Sequence, residues 1–176
     1  MVLIALLVLS APSNVVAMES VDVVSDRGPD CKLPIDYRFG RITSHYGMRD
    51  NPFGPGKKFH YGIDIESDEG VSIRSITEGY VYYARQSSAG GGLQVMVRSP
   101  SGLKFKYSHM SKILVKKGQT VKAGTLLGEV GSTGKALGSH LHLEVYRNKG
   151  NLKDDHLDPV QFVCKYRTNL WKGHTH

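Results

Sequence analysis

Gly138-Ser139-His140-Leu141-His142-Leu143-Glu144-Val145 is the stretch from which the rest of the chain can be read. Apolar Leu141, Leu143 and Val145 alternate with polar His140, His142 and Glu144, the period-two pattern of a half-buried strand. Both imidazoles and the carboxylate then share one face, while the leucines enter a core. Same-face neighbours on a strand lie roughly 6.5–7 Å apart. That spacing suits one histidine as a metal ligand and the other reaching over the ion's open position. Alone, the string also fits a solvent-facing polar edge, so the decision rests on partners elsewhere.

The first partners are His60 and Asp64, four apart in Phe59-His60-Tyr61-Gly62-Ile63-Asp64-Ile65. The composition there speaks for extended chain, and a straight strand would hold residues four apart about 13 Å from each other. Joint binding of one ion therefore requires a bend at Tyr61-Gly62. Two imidazoles and a carboxylate form a zinc set with a fourth position left for water, whose pKa falls toward ~7. Harder ions would want more carboxylates, and no thiolate pair at metal spacing is present. His109, at a strand end in Lys106-Tyr107-Ser108-His109-Met110, reads alone as a surface or capping histidine. Beside a metal-activated water it would instead stabilise an oxyanion or carry a proton.

The remaining chain is short strands punctuated by glycine. Val71–Ile76, Gly79–Arg85, Leu93–Arg98, Leu103–His109 and Leu126–Val130 are expected strands, with Ser99-Pro100-Ser101-Gly102 as a hairpin turn. Asp50–Gly56 must be a loop. Ser87–Gly92 and Gly131-Ser132-Thr133-Gly134 are glycine-rich loops, the first a plain connection or a substrate wall. Helical patterns are sparse, so the expectation is an all-β, or mostly β, single domain over 31–164.

At 176 residues the chain is long enough for one domain with a real core, and its formal charge of +7 favours an anionic partner. No dense Lys/Arg run with interleaved aromatics occurs, which argues against nucleic acid. Residues 1–17, with apolar Val2–Leu9, read as a secretory signal peptide cleaved after Ala17, although a basic start is missing; an uncleaved anchor is the alternative. Residues 18–30 read as a leader and 165–176 as a tail. Cys31 and Cys164 bracket the domain and, in an exported chain, are candidates for a bridge.

Taken together, His60 and Asp64 as HxxxD, Tyr107-Ser108-His109, Val121-Lys122-Ala123-Gly124 and Gly131-Ser132-Thr133-Gly134 before His140-Leu141-His142 resemble the LytM/lysostaphin family. These are the M23 zinc endopeptidases of bacterial cell walls. Ile42-Thr43-Ser44, Tyr46-Gly47-Met48-Arg49, Asn51-Pro52 and Leu157-Asp158-Pro159-Val160 extend the resemblance to residues 42–162. It implies an antiparallel β-sheet or β-sandwich groove with one zinc ion held by His60, Asp64 and His142. It implies that His109 and His140 assist catalysis, and that a zinc-bound water attacks a peptide carbonyl in peptidoglycan. The protein would be exported to the periplasm or cell wall, monomeric, and not inserted in the membrane after signal cleavage.

Departures from the family pattern are His45 in place of a small residue, Leu143 in place of an aromatic, and Lys135-Ala136-Leu137 before the HLH strand. Glu144 either orients a ligand or stands as an exposed strand carboxylate. A competing reading is a non-catalytic relative that binds wall or activates other hydrolases. A barrel-sandwich carrier is disfavoured because Lys122 lacks the setting of a modified lysine. Asp154-Asp155-His156-Leu157-Asp158 reads as a solvated acidic loop before a separate metal site, and His174 and His176 as tail residues.

Overall fold

A computed structural model describes residues 32–87, 90–147 and 155–164. The expected signal peptide, leader and tail, together with Cys31, His174 and His176, lie outside these residues. The described residues form thirteen strands and a short 3-10 turn, Pro159–Gln161. The fold is all-β and antiparallel, as the alternation of the sequence leads one to expect.

The strands are β1 (Arg41–Ser44), β2 (Gly47–Asp50), β3 (Lys57–His60), β4 (Ile63–Glu66), β5 (Ser72–Arg74), β6 (Gly79–Ser87) and β7 (Gly92–Arg98). They continue with β8 (Lys104–Met110), β9 (Lys112–Ile113), β10 (Thr120–Val121), β11 (Leu126–Glu129), β12 (His140–Tyr146) and β13 (His156–Leu157). The main sheet runs β1-β4-β12-β8-β7-β6-β10, with β13 added to β12. A three-stranded sheet, β5-β11-β9, and the β2-β3 hairpin complete the fold. Ser99–Gly102 is the hairpin turn that its Pro-Ser-Gly composition predicts, closed by the Gly102 N–H on the Ser99 carbonyl at 3.0 Å.

Period-two patterning explains which face is filled. Leu141, Leu143 and Val145 of β12, Ile63 and Ile65 of β4, Phe105 and Tyr107 of β8, and Val95 and Val97 of β7 are all buried. Ile73 of β5 and Leu127 of β11 join the same core cluster, so the small sheet helps to seal that face. Burial of side chains this size stabilises by about 1.5–3 kcal/mol each. The opposite face of the main sheet carries the polar alternates, and β12 lies between β4 and β8. In register, His142 sits across from Asp64 on one side and from Ser108 on the other.

The bend required between His60 and Asp64 is present. β3 ends at His60 and β4 begins at Ile63, leaving Tyr61-Gly62 to turn the chain from one sheet into another. Gly62 is needed for close approach. A Cβ built there would lie 2.4 Å from the Leu143 carbonyl oxygen and 2.8 Å from His142 Cε1. The second glycine-dependent approach joins the two glycine-rich loops: Gly134 has φ +78°, and a Cβ on it would lie 2.3 Å from the Gly90 carbonyl oxygen. Cys164 is disulfide-bonded, and the neighbouring Val163 bridges in parallel with Lys32.

Candidate metal centre

His60 closes β3, Asp64 follows the bend on β4, and His142 faces Asp64 from β12; their donor atoms converge. His142 Nδ1 lies 2.7 Å from Asp64 Oδ1, His60 Nε2 lies 3.2 Å from the same oxygen, and the two nitrogens are 3.0 Å apart. Ligand atoms on a tetrahedral ion bound at 2.0–2.1 Å would stand roughly 3.3 Å from one another. The triad is already close to that spacing.

The outer atoms offer each ring proton a partner away from the point of convergence. His60 Nδ1 lies 2.8 Å from the His45 carbonyl oxygen, so Nδ1 carries the proton and Nε2 keeps a lone pair. His142 Nε2 lies 3.1 Å from Glu144 Oε1, and a proton there leaves Nδ1 free as well. Arg49 Nη1 donates to Asp64 Oδ2 at 2.9 Å, leaving Oδ1 turned to the imidazoles. Two nitrogen lone pairs and a carboxylate oxygen thus face one point, an arrangement that calls for a cation. The electrostatics agree. When the rings instead carry protons on these inner nitrogens, burial raises the Asp64 pKa, but hydrogen bonds from His142 and His60 outweigh it and hold the carboxyl well below the usual range. Burial lowers the His142 pKa, but Asp64 and Glu144 on its two sides raise it overall. A site that favours a proton between these atoms favours a metal ion there too, and the two-nitrogen, one-oxygen donor set fits zinc.

His140 and His109 stand beside the triad. Their rings are 4.8 Å apart, and the His109 ring is 5.9 Å from that of His142. Each gives its Nδ1 proton to a backbone carbonyl, His140 to Gly138 at 2.8 Å and His109 to Thr133 at 2.7 Å. Both therefore keep Nε2 as the free acceptor, and His140 Nε2 lies 3.8 Å from Asp64 Oδ1. Burial pulls the His109 pKa down to about 4, so its ring is neutral at pH 7. His109 alone among the described non-glycine residues has positive φ, at 64°. Its N–H donates to Gly91 and its ring to Thr133, so both glycine-rich loops hold it in that conformation. A cleft of about 530 Å³ opens over these groups, walled by Phe53 of the loop between β2 and β3 and by Leu137 before β12.

Other residues of the site were less visible in the sequence. Glu144 is buried and ion-paired, not an exposed strand carboxylate: it accepts from His142, from Lys106 Nζ at 2.7 Å and from His156 Nε2 at 3.0 Å. The stretch read as a solvated acidic loop proves different in its described part. Asp155 is buried and His156–Leu157 form β13 against β12, so His156 joins this centre through Glu144. Asp154 lies outside the described residues. His45 contributes its carbonyl, while its side chain is exposed. Leu143 is fully buried. Of Ser87–Gly92, Gly92 packs on Thr133 of the second glycine-rich loop and Gly90 on Lys135 just beyond it, whereas Gly91 faces the Gln94 side chain.

The chain belongs to peptidase family M23, whose pattern matches residues 58–159. It is 34% identical over 119 residues to the glycyl-glycine endopeptidase ALE-1 of Staphylococcus capitis, covering 67% of this chain and 33% of that protein. It is 36% identical over 115 residues to the peptidoglycan DD-endopeptidase ShyB of Vibrio cholerae, covering 65% of this chain and 25% of the relative. The chain therefore spans a third or less of the length of these curated relatives. The solved catalytic domain of the antimicrobial peptidase lysostaphin from Staphylococcus simulans matches with TM-score 0.63 and 33% identity, covering 70% of this chain and 91% of that domain.

Proposed function

We propose that the protein is a zinc-dependent endopeptidase hydrolysing peptide bonds of bacterial peptidoglycan, in stem peptides or cross-links. His60, Asp64 and His142 hold one ion in this reading. The observation that carries it is the convergence of His60 Nε2, His142 Nδ1 and Asp64 Oδ1 with their outer atoms already committed to other partners. When bound, zinc supplies Lewis acidity, acidifying water and polarising a carbonyl. Relatives named for peptidoglycan and glycyl-glycine endopeptidase action support the substrate class.

The chain's own groups handle protons and position. His109, neutral at pH 7, and His140 both present Nε2 to the cleft with Nδ1 anchored to the backbone, so each is placed to exchange a proton without reorienting. Once protonated, the same Nε2–H donates to the carbonyl oxygen as it gains negative charge, or to the departing amine. Burial favours return of the His109 proton, which suits delivery to the amine. The substrate lies outside the cytoplasm, so this reading entails export to the periplasm or cell wall, where the protein acts as a monomer.

The test is digestion of purified cell-wall sacculi by the protein, with and without chelator, with products read by mass spectrometry. New amine and carboxylate ends that vanish with chelator and return with zinc are expected, and their masses identify the bond. Folded, zinc-loaded protein that cuts no wall type would overturn the reading in favour of a wall-binding or activating protein.

A further inference from the structure

Neutral His142 has one ring proton and two carboxylates able to accept it. Asp64 Oδ1 stands 2.7 Å from Nδ1, and Glu144 Oε1 stands 3.1 Å from Nε2. Only a proton on Nε2 leaves Nδ1 open toward His60 and Asp64. The contact at Nδ1 is shorter, so the outcome depends on how firmly Glu144 is aimed. Lys106 Nζ binds the same Oε1 at 2.7 Å and draws that oxygen toward itself. The opposing restraint is His156, whose Nε2 lies 3.0 Å from Glu144 Oε2.

His156 is itself held in place. It pairs with Tyr146 across β13 and β12, and its ring packs against those of Tyr61 at 4.7 Å and Tyr146 at 5.3 Å. Its carbonyl accepts from the Tyr46 hydroxyl at 3.4 Å. Glu144 has both oxygens occupied and is buried, so its carboxylate plane follows these partners.

We infer that Glu144 and His156 are a positioning pair for the metal site: His156 aims the Glu144 carboxylate, which keeps the His142 proton on Nε2 and its Nδ1 available to the ion. The pair rests on the zinc reading above and acts through His142, without touching substrate. Partners that orient a ligating histidine in this way are generally worth 10–100-fold in metal affinity.

The experiment measures zinc affinity of the full chain by competition with a chromophoric chelator, and the visible absorption of the cobalt-substituted protein. Urea midpoints of the metal-free proteins separate loss of folding from loss of affinity. Glu144→Gln is expected to weaken zinc about 10–100-fold. His156→Phe, which keeps the ring packing, should weaken it about tenfold and alter the cobalt spectrum. His156→Gln, whose amide still donates to Oε2, should return to within about threefold of the original protein. If Glu144→Gln does not fold, the two His156 variants decide. Original affinity in folded His156→Phe overturns the pairing, as does a His156→Gln protein no better than His156→Phe. The original protein binding zinc no more tightly than Asp64→Ala would instead sink the zinc reading itself.

Discussion

Arg49 Nη1 lies 2.9 Å from Oδ2 of Asp64 and 2.7 Å from the hydroxyl of Ser44, so one guanidinium nitrogen locks the carboxylate of β4 to the end of β1. The contact leaves Oδ1 as the oxygen turned to His60 and His142. Replacing Arg49 by Ala should free the carboxylate to rotate, lowering zinc affinity about tenfold or more while the fold persists. Chelator competition would show this, and unchanged affinity would mean that the imidazoles alone orient Asp64.

Gly62→Ala tests the bend. Its new methyl would meet the Leu143 carbonyl and the His142 ring, so β12 or the ring must shift. We expect about 1–3 kcal/mol of destabilisation and loss of zinc retention. Gly138→Ala is the control, because nothing lies within 4 Å of a Cβ there. It should stay within about 0.5 kcal/mol of the original protein. Equal behaviour of the two variants in urea melts and zinc titrations would remove the bend from the account.

The residues converging on the candidate ion and the two histidines beside them should separate into two classes. His142→Ala, like Asp64→Ala, is expected to lose zinc and turnover together. His109→Asn should keep zinc, because asparagine tolerates the positive φ at this position. Turnover should nevertheless fall about 100-fold or more, and likewise for His140→Ala. Metal analysis alongside wall-digestion rates reads both quantities. A His109→Asn protein with undiminished turnover would leave proton transfer to His140 alone.

Tyr107 gives a pH dependence remote from the candidate metal site. Burial pushes its pKa up to about 12, while its hydroxyl accepts the Ile76 N–H at 3.0 Å. The unfolded phenol ionises near 10, so the unfolded state sheds its proton first and stability falls as pH rises from about 10 to about 12. Tyr107→Phe leaves the Ile76 N–H unpaired and should cost about 1–3 kcal/mol at pH 8. That gap should narrow as pH climbs, since phenylalanine has no proton to lose. Urea melts at pH 8 and pH 11 decide, and a constant gap would contradict the assignment.

The β architecture was legible because alternation is a local property: Leu141, Leu143 and Val145 announce their face without any knowledge of partners. The conjunction of His60, Asp64 and His142 was legible for a different reason. Four residues of separation exclude a shared ion on a straight strand, so the glycine between them had to mark a turn. Arg49, Lys106 and His156 were not visible as site residues, since each depends on register. Lys106 meets Glu144 only because β8 and β12 align these two residues. His156 lay within a run of acidic residues whose composition suggests solvent, and only pairing with β12 turns it inward. The strain at His109 was equally hidden, because two distant loops impose it together.

Those loops give the two sides of the cleft unequal freedom to change length. Lys135 N–H bonds the Gly90 carbonyl, His109 N–H bonds that of Gly91, and Leu93 N–H bonds the Thr133 hydroxyl. An insertion in either glycine-rich loop would unseat His109 unless the other loop changed in step. The hairpin loop over 51–56 is exposed over most of its length and is closed by the Asn51 N–H on the Gly56 carbonyl. That wall can therefore lengthen without disturbing His109, while the wall behind His109 admits only paired change.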